Sequence, residues 1–303
     1  MDPTHQTGSK VERLGYPTGT KLLILHADDL GLAHSVNAAA IAAFEMGAIS
    51  SASIIVPAPW TPEIVGWVKD HSEADVGVHF ALTSEWPPLR WRGIVAPAEA
   101  PTLYDAEGFL PRTTLEVQAQ AAAPEAETEL RAQLARAQDM GLRPTHVDWH
   151  MLAVMTSSEV FAAFLRVARE NHVPPAIWLD ILRADAAALG VAPRLEQQVR
   201  PDEVLVDHYL VALPPLAPEA LSSLYQGVIR KLEPGTITQM IVHLGYDDPE
   251  LRALTAGHEP YGSRWRQADM DFVTSPETKR LLIECGVHLV TWRELSALLP
   301  ATA

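Results

Sequence analysis

Residues 21–30 read KLLILHADDL, a largely apolar run with two adjacent carboxylates, Asp28 and Asp29, near its end. The part Lys21–Leu25 predicts a buried strand, because it is rich in Leu and Ile and follows a turn that contains Pro and Gly. A carboxylate at the end of a buried strand is normally paired, hydrogen-bonded or bound to a metal. Successive side chains of a strand point to opposite faces, so Asp28 and Asp29 are expected to reach different targets around one centre. The alternative is that one of them caps a helix that begins near His34.

Length and composition limit the class of protein. The 303 residues suit one large domain or two small ones, and α/β barrels of this size are commonly a single unit. The formal net charge of −15 argues against a nucleic-acid-binding protein, since no basic stripe is present to neutralise phosphates. The single cysteine, Cys285, favours a reducing cytoplasm, and no stretch approaches the roughly 20 apolar residues that span a bilayer. Residues 1–20 are predicted to be a disordered tail, which leaves residues 21–303 as the single domain.

Short apolar runs alternate with amphipathic helical segments along that domain. Strands that alternate with helices predict a parallel sheet, and seven or eight such units in one chain predict a (β/α) barrel. Residues 83–124, rich in Pro, Trp and Gly, interrupt the alternation and are interpreted as a long excursion that forms a lid. The predicted strands cover residues 21–25, 53–56, 76–82, 145–150, 176–179, 204–209, 237–244 and 288–291.

Polar side chains stand at the ends of several predicted strands. Barrel active sites gather at the carboxyl ends of the strands, so these side chains are expected to converge. Each has a structural explanation when taken alone, such as a core histidine bonded to a carbonyl for His79. Together they form the set that a His/His/Asp site for a divalent cation requires. The residues are Asp28, Asp29, His79, His146, Asp148, His150, Asp207, His208 and His243.

Three of these residues lie on the fourth predicted strand. Because side chains alternate with a period of two, His146, Asp148 and His150 share one face. They would crowd one another if all were ligands. Some are therefore expected to act as partners that orient the ring nitrogens of the metal-ligating histidines. Position alone does not decide between the two histidines, although His150 lies nearer the carboxyl end, which favours it as the ligand.

Four motifs and a closing segment resemble, in the same order, those of the YdjC-like carbohydrate deacetylases, the family that includes the chitooligosaccharide deacetylases. The resemblance covers about residues 21–296. The matching segments are HADDLG (26–31) followed by Asn37, GVHFALT (77–83), PTHVDWH (144–150), VHLG (242–245) and Arg266–Glu294.

The resemblance implies a distorted (β/α) barrel that removes an N-acetyl group from an amino sugar with one divalent metal ion, Zn²⁺ or Mg²⁺. By position in the motifs, Asp29, His79 and His150 would be the metal ligands. Asp28 would be the general base and His243 the general acid. The resemblance also suggests a homodimer. Residues expected to support the ligands or to contact the substrate are His146, Asp148, Trp149, Asn37 and Arg266.

Two positions depart from the family pattern. Trp149 stands where a small residue is usual, and Leu152 stands where a further histidine is frequent. A Trp beside a ligand either fills part of the pocket or offers a stacking face to a sugar, and both narrow the choice of substrate. The same alternatives apply to three aromatic residues of the excursion, which either stack on sugar faces or pack the loop onto the barrel. These are Trp86, Trp91 and Tyr104.

Three functions are compatible with these residues. A carbohydrate deacetylase that acts on an N-acetylated sugar is favoured, with neither nucleic acid nor a membrane as partner. Metal-dependent hydrolysis of a phosphoester or of another amide would use the same ligands. A non-catalytic sugar-binding protein is the third alternative, and the intact set of Asp28, Asp29, His79 and His150 counts against it.

Overall fold

A computed structural model of the protein describes residues 8–258 and 260–299. No helix in this described part of the chain combines the length and the apolar character needed to cross a membrane. The strands are β1 (Lys21–Leu30), β2 (Ser51–Ile54), β3 (Val76–Phe80), β4 (Val147–Trp149), β5 (His208–Val211), β6 (Ile237–Val242) and β7 (Val287–Leu289). The helices are α1 (Lys10–Arg13), α2 (His34–Glu45), α3 (Thr61–Asp70), α4 (Thr114–Gln120), α5 (Ala123–Asp139), α6 (Ser158–Glu170), α7 (Leu179–Arg183), α8 (Ala186–Leu189), α9 (Pro218–Arg230), α10 (Pro249–Leu254), α11 (Ser263–Thr274), α12 (Pro276–Glu284) and α13 (Trp292–Leu295). Short 3₁₀ segments cover Pro101–Leu103, His150–Met155, Leu195–Gln198 and Ser296–Leu298.

Strand β1 lies at the centre of the sheet. The lateral order is β4-β3-β2-β1-β6-β5, and every pairing is parallel. One edge of β1 pairs with β6, whereas the other edge pairs first with β7 and then with β2. Because β1 has neighbours on both sides along its length, its residues 22–30 are all buried. The apolar run that the sequence marks is therefore the central strand of the fold.

Isolated bridges continue the sheet from β4 towards β5. Val147 in β4 pairs with Pro175, and Trp178 pairs with Val206, two residues before β5. The chain forms these single bridges where the run at 176–179 predicted a regular strand. The expected distorted (β/α) barrel is confirmed, and the residues that the structure describes form seven strands and one irregular sector.

The apolar side chains of helix α6 pack against the sheet. The side chain of Ser157 accepts a hydrogen bond from the backbone N–H of Val160 and so caps the helix. Phe164 is fully buried on this helix and packs edge-on against Phe80 of β3, with ring centroids 6.1 Å apart. The same Phe164 packs edge-on against Trp149 of β4, at 4.9 Å, which brings that tryptophan into the core.

The strand predicted at residues 204–209 is displaced along the chain. Strand β5 begins at His208 and ends at Val211, so Asp207 precedes it. The carboxylate of Asp207 accepts a hydrogen bond from the backbone N–H of Ile237, at the amino end of β6. The expectation that Asp207 and His208 stand at a carboxyl end is wrong, because the actual end of β5 is apolar.

Part of the predicted disordered tail packs against the barrel. Helix α1 buries Val11 completely, and Lys10 forms an ion pair with Asp207. Residues 8–20 therefore differ from the prediction, since one apolar side chain and one ion pair anchor an otherwise polar segment. The first seven residues of the predicted tail lie outside the described residues.

The excursion at residues 83–124 packs onto the barrel through its aromatic side chains. Trp86 and Trp91 are 1% and 4% exposed, and Tyr104 is also buried. The carboxylate of Glu129 in α5 accepts two backbone N–H hydrogen bonds from the excursion, each 2.8 Å long. Of the three aromatic residues, Trp86 lines the central cavity described below, so Trp91 and Tyr104 have the packing role.

Candidate metal centre and active site

A bulge in β1 brings Asp28 and Asp29 to one cavity. The pairing with β2 shifts register between Ala27 and Leu30, and Asp29 has the left-handed backbone angle φ 71°. A bulge leaves a residue unpaired and redirects its side chain, so the alternation expected of a regular strand does not hold. Both carboxylates line the same cavity. Neither caps α2, since its N-cap residue is Ala33 and makes no side-chain cap hydrogen bond.

Asn37 holds the turn that follows Asp29. Its side-chain oxygen accepts a hydrogen bond of 2.8 Å from the backbone N–H of Gly31, and its amide donates to Glu63. Gly31 has φ 94°, and a Cβ there would lie 2.6 Å from the hydroxyl of Thr61, so glycine is required. Asn37 is not among the residues that line the cavity. Its contacts support the loop that carries Asp29.

Asp29, His79 and His150 each offer a ligand atom, and these atoms lie within 4.8 Å of one another. Oδ1 of Asp29 lies 3.1 Å from Nδ1 of His150 and 3.6 Å from Nε2 of His79. The three side chains come from the ends of β1, β3 and β4, and all three residues are buried. The structure thus brings together the three residues that the sequence motifs select as ligands.

The carboxylates of this cluster suit a bound cation. Oδ1 of Asp28 lies 3.1 Å from Nε2 of His26 and Oδ1 of Asp29 lies 3.1 Å from Nδ1 of His150, but neither buried oxygen makes a well-aligned hydrogen bond with the described residues. A buried carboxylate oxygen whose hydrogen bonding is incomplete is costly. Two imidazoles and one carboxylate form a donor set that divalent metals accept, and three protein ligands leave a position open for water or substrate. The residues present therefore fit a divalent cation.

Shifted pKa values reflect the negative charge of the site. Burial by itself lowers the pKa of His150, but the charges of Glu85 and Asp29 outweigh it and hold the pKa well above its ordinary value. Burial raises the pKa of Asp29, but Arg266 and His150 outweigh this effect and hold it well below the ordinary value. The pKa of His79 is also raised, since the charges of neighbouring carboxylates outweigh burial. The site attracts positive charge, either as protons or as a metal cation.

Asp148 fixes the ring of His79 from behind. Oδ1 of Asp148 lies 2.8 Å from Nδ1 of His79, which turns the other ring nitrogen towards Asp29. A carboxylate on the far nitrogen is the usual partner of a metal-ligating histidine. Oδ2 of Asp148 lies 3.2 Å from Nε2 of His26, and the same nitrogen is 3.1 Å from Oδ1 of Asp28. His26 thus links two carboxylates of the site, a role that the sequence analysis missed although His26 opens the first motif.

Glu85 is a second residue that the sequence analysis missed. Its carboxylate lies 3.0 Å from Nε2 of His150, and it lines the cavity. Glu85 follows β3 by five residues and stands in the irregular excursion, where no periodic pattern assigns a direction to a side chain. The only sequence signal was a charged residue beside Trp86, shortly after a strand end.

Arg266 connects α11 to the carboxylate of Asp29. Its Nη2 donates a hydrogen bond of 2.6 Å to Oδ2 of Asp29, and its Nε donates to the backbone carbonyl of Tyr261. The guanidinium carbon lies 5.1 Å from the ring centroid of Trp86, and the residue is buried. Breaking a buried ion pair costs about 3–5 kcal/mol, so this contact constrains the orientation of Asp29.

His243 follows β6 and lies on the side of Asp29 where Arg266 binds. Its Nε2 is 4.0 Å from Oδ2 of Asp29. Burial lowers the pKa of His243 to about 4, so the ring is neutral at pH 7. Its backbone N–H donates a 2.8 Å hydrogen bond to Asp269, which also accepts one from the hydroxyl of Tyr225. Burial raises the pKa of Asp269 to about 7.

The structure places the predicted residues His146 and Trp149 in different surroundings. His146 is fully buried behind Asp148, with its Nε2 3.7 Å from the carboxylate, and it stacks on Trp292 away from the cavity. Trp149 lines the cavity but is only 4% exposed, and it packs edge-on against Trp178 with ring centroids 4.8 Å apart. Of the two roles expected for Trp149, filling part of the pocket matches its burial.

One cavity of about 510 Å³ contains these functional groups. Its volume falls within the range of about 300–1,000 Å³ that small-molecule sites occupy. Asp28, Asp29, His79, His150 and His243 all line it. The residues selected from four separate parts of the sequence therefore face one space large enough for a small substrate.

Comparisons with known proteins agree with this site and fold. Residues 22–284 match the family model of the YdjC-like proteins. A carbohydrate deacetylase of Thermus thermophilus is 31% identical over 293 residues, which cover 93% of this chain and 96% of that protein. A chitooligosaccharide deacetylase of Enterobacter sp. (strain 638) is 24% identical, with 91% of this chain and 99% of that protein covered. A crystal structure from Enterococcus faecalis V583 has the same fold, with a TM-score of 0.72 at 22% identity over 91% of this chain and 99% of that one. The chain belongs to the family of YdjC-like proteins.

Proposed function

We propose that the protein is a metal-dependent carbohydrate deacetylase, which hydrolyses the N-acetyl group of an amino sugar. The observation that carries the proposal is the grouping of Asp29, His79 and His150 in one cavity, with Asp28 beside them. Metal-assisted amide hydrolysis needs ligands for a cation and a separate group that accepts a proton. Relatives named carbohydrate deacetylases support the class of substrate.

Asp29, His79 and His150 would hold the divalent ion. Bound there, the ion supplies a Lewis acid for the acetamide carbonyl and lowers the pKa of water. Because mixed imidazole and carboxylate donors suit several metals, Zn²⁺ and Mg²⁺ are both candidates.

Asp28 is the proposed general base. One of its oxygens lies 3.1 Å from His26, and the other lies 3.9 Å from His79 on the side of the proposed ligands. The carboxylate is thus held by a neighbour at one end and is available to accept a proton from the attacking water at the other. A positioned general base typically contributes about 10²–10⁴-fold to the rate.

His243 is the proposed general acid for the leaving nitrogen. With a pKa of about 4, the protonated ring is a stronger acid than an ordinary imidazolium and gives up its proton more readily. The same pKa leaves the ring neutral before the reaction, so the proton has to reach His243 during turnover. The proton that Asp28 removes from water is the available source. The products are then the amine and acetic acid, whose proton passes to the amine or to solvent at neutral pH.

The test measures acetate release and metal content together on the wild type and on His79→Ala. The substrates are N-acetylglucosamine, short chitooligosaccharides and N-acetylated glycolipid head groups. We expect about one metal ion per chain and acetate from at least one substrate, with both lost in His79→Ala. The matched control is His288→Ala, which changes an exposed histidine of β7 and should retain both. A bound metal without acetate would indicate a different hydrolysis, and the absence of metal from the wild type would overturn the proposal.

A further inference from the structure

Large apolar side chains line the cavity together with the carboxylates and imidazoles. They come from three segments: the residues just after His150, helices α7 and α8, and the end of β5 with the residues that follow it. We call this set the apolar wall. It consists of Met151, Leu152, Ile181, Leu189, Leu210 and Leu213.

The apolar wall is accessible from solvent. Leu213 is 64% exposed and Met151 is 41% exposed, and the other four side chains are partly exposed. A group of large apolar side chains that lines a cavity and stays outside the core is typical of a binding surface. Leu152, Ile181, Leu189 and Leu210 also pack against the core on one side, whereas Met151 and Leu213 are exposed and packing does not account for them.

The backbone at the start of the wall supports a functional role. Met151 and Leu152 have φ angles of 55° and 58°, in the left-handed region that bulky side chains rarely adopt. Such conformations persist only where the surrounding structure enforces them, and they cluster at functional sites. The two residues directly follow His150, so the wall begins beside a proposed ligand.

The chemical character of the apolar wall indicates which kind of group binds against it. Its side chains carry no hydrogen-bonding group apart from the weak thioether of Met151. These six side chains offer no partner to the hydroxyl groups of a second sugar ring that lies against them, whereas an alkyl or aryl group would gain there from leaving water. Because the wall and the Asp29 cluster line one cavity, the occupant is part of the molecule whose acetamide reaches that cluster.

We propose that the substrate is an N-acetylated amino sugar that carries an alkyl or aryl aglycone, and that the apolar wall binds this aglycone. The inference rests on the proposed deacetylase function and specifies its substrate class. It predicts that the enzyme prefers an amphipathic glycoside over a purely polar oligosaccharide of similar size.

The test compares three ligands: the methyl and hexyl glycosides of N-acetylglucosamine, and N,N′-diacetylchitobiose. Binding is measured by titration calorimetry and turnover by acetate release, on the metal-loaded wild type, Leu213→Ser and Ile283→Ser. We expect the hexyl glycoside to exceed the methyl glycoside at least about tenfold in affinity and in kcat/KM, since several methylenes are buried. Leu213→Ser should reduce this ratio severalfold. Ile283→Ser removes a similarly exposed apolar side chain from α12, which does not line the cavity, and should leave the ratio unchanged.

The two measurements separate this inference from the proposed function. Equal values for the hexyl and methyl glycosides, or a higher value for the chitobiose, would overturn the apolar subsite while acetate release still supported a deacetylase. Tighter binding of the hexyl glycoside that depends on Leu213, without acetate from any ligand, would support the subsite and contradict the deacetylase. If the ratio of the hexyl to the methyl glycoside falls as much in Ile283→Ser as in Leu213→Ser, the apolar wall does not cause the preference for the hexyl group. That result would also overturn the inference.

Discussion

His26 is expected to stabilise the protein through its charge, and the variant His26→Gln tests this expectation. The imidazole is fully buried, with Nε2 3.1 Å from Asp28 and 3.2 Å from Asp148. Burial alone would lower its pKa, but the close contacts with the two carboxylates and their negative charges outweigh burial and raise the pKa from 6.5 to about 9. Glutamine keeps a donor near the position of Nε2 but carries no charge.

The magnitude follows from the linkage between proton binding and folding. When the pKa of a group is higher in the folded than in the unfolded protein, binding of its proton stabilises the folded state. This stabilisation is complete at a pH below the pKa of the unfolded state, and it is lost as the pH rises through the pKa of the folded state. Since one pH unit corresponds to about 1.4 kcal/mol, the proton on His26 contributes about 3 kcal/mol at pH 6 and below about 1 kcal/mol at pH 9. The wild type should therefore lose its advantage over His26→Gln between pH 6.5 and pH 9.

The assay is urea denaturation of the wild type and His26→Gln at pH 6, 7.5 and 9.5, in EDTA so that metal binding does not contribute. The difference in free energy of unfolding should shrink by about 2–3 kcal/mol across this range. His288→Gln, at an exposed histidine of β7, is the matched control, and its difference from the wild type should be small and constant. A constant difference for His26→Gln as well would refute the reasoning, because it would show that His26 stabilises the fold without a proton.

Two substitutions test other parts of the structure. Asp28→Asn should lower turnover by about 10²–10⁴-fold and leave metal content unchanged, as measured by acetate release and metal analysis; full activity would place the general base elsewhere. Gly77→Ala should lower the free energy of unfolding by about 1–3 kcal/mol in thermal or urea denaturation, because the new Cβ would lie 2.6 Å from the ring of His146 and 2.7 Å from its carbonyl oxygen. Gly66→Ala in α3, where nothing lies within 4 Å of the new Cβ, should instead be neutral or stabilising by up to about 1 kcal/mol, and an equal loss in both variants would contradict the steric explanation.

The sequence predicted the architecture well, because that prediction depends on local patterns. The apolar run before Asp28 is the central strand, and the alternation of strands and helices forms a parallel barrel. The predicted bounds of the strands were less accurate in the sector where the strands pair irregularly. Residues 176–179 form only an isolated bridge, and the displacement of β5 moved Asp207 and His208 away from the carboxyl end. Apolar content marks a segment that will be buried, but the neighbouring strand decides which of its residues pair.

The sequence by itself determined that histidines and carboxylates stand at the ends of parallel strands, where the fold makes them converge. Only the tertiary structure decided how they meet. The bulge that turns Asp29 into the cavity arises where β1 pairs with β2, and Glu85 reaches His150 across 65 residues of chain. The contact of Arg266 with Asp29 spans 237 residues. The physical reason is that periodicity and hydrogen-bonding capacity belong to a local segment, whereas the partner of a buried charge depends on the packing of the whole chain.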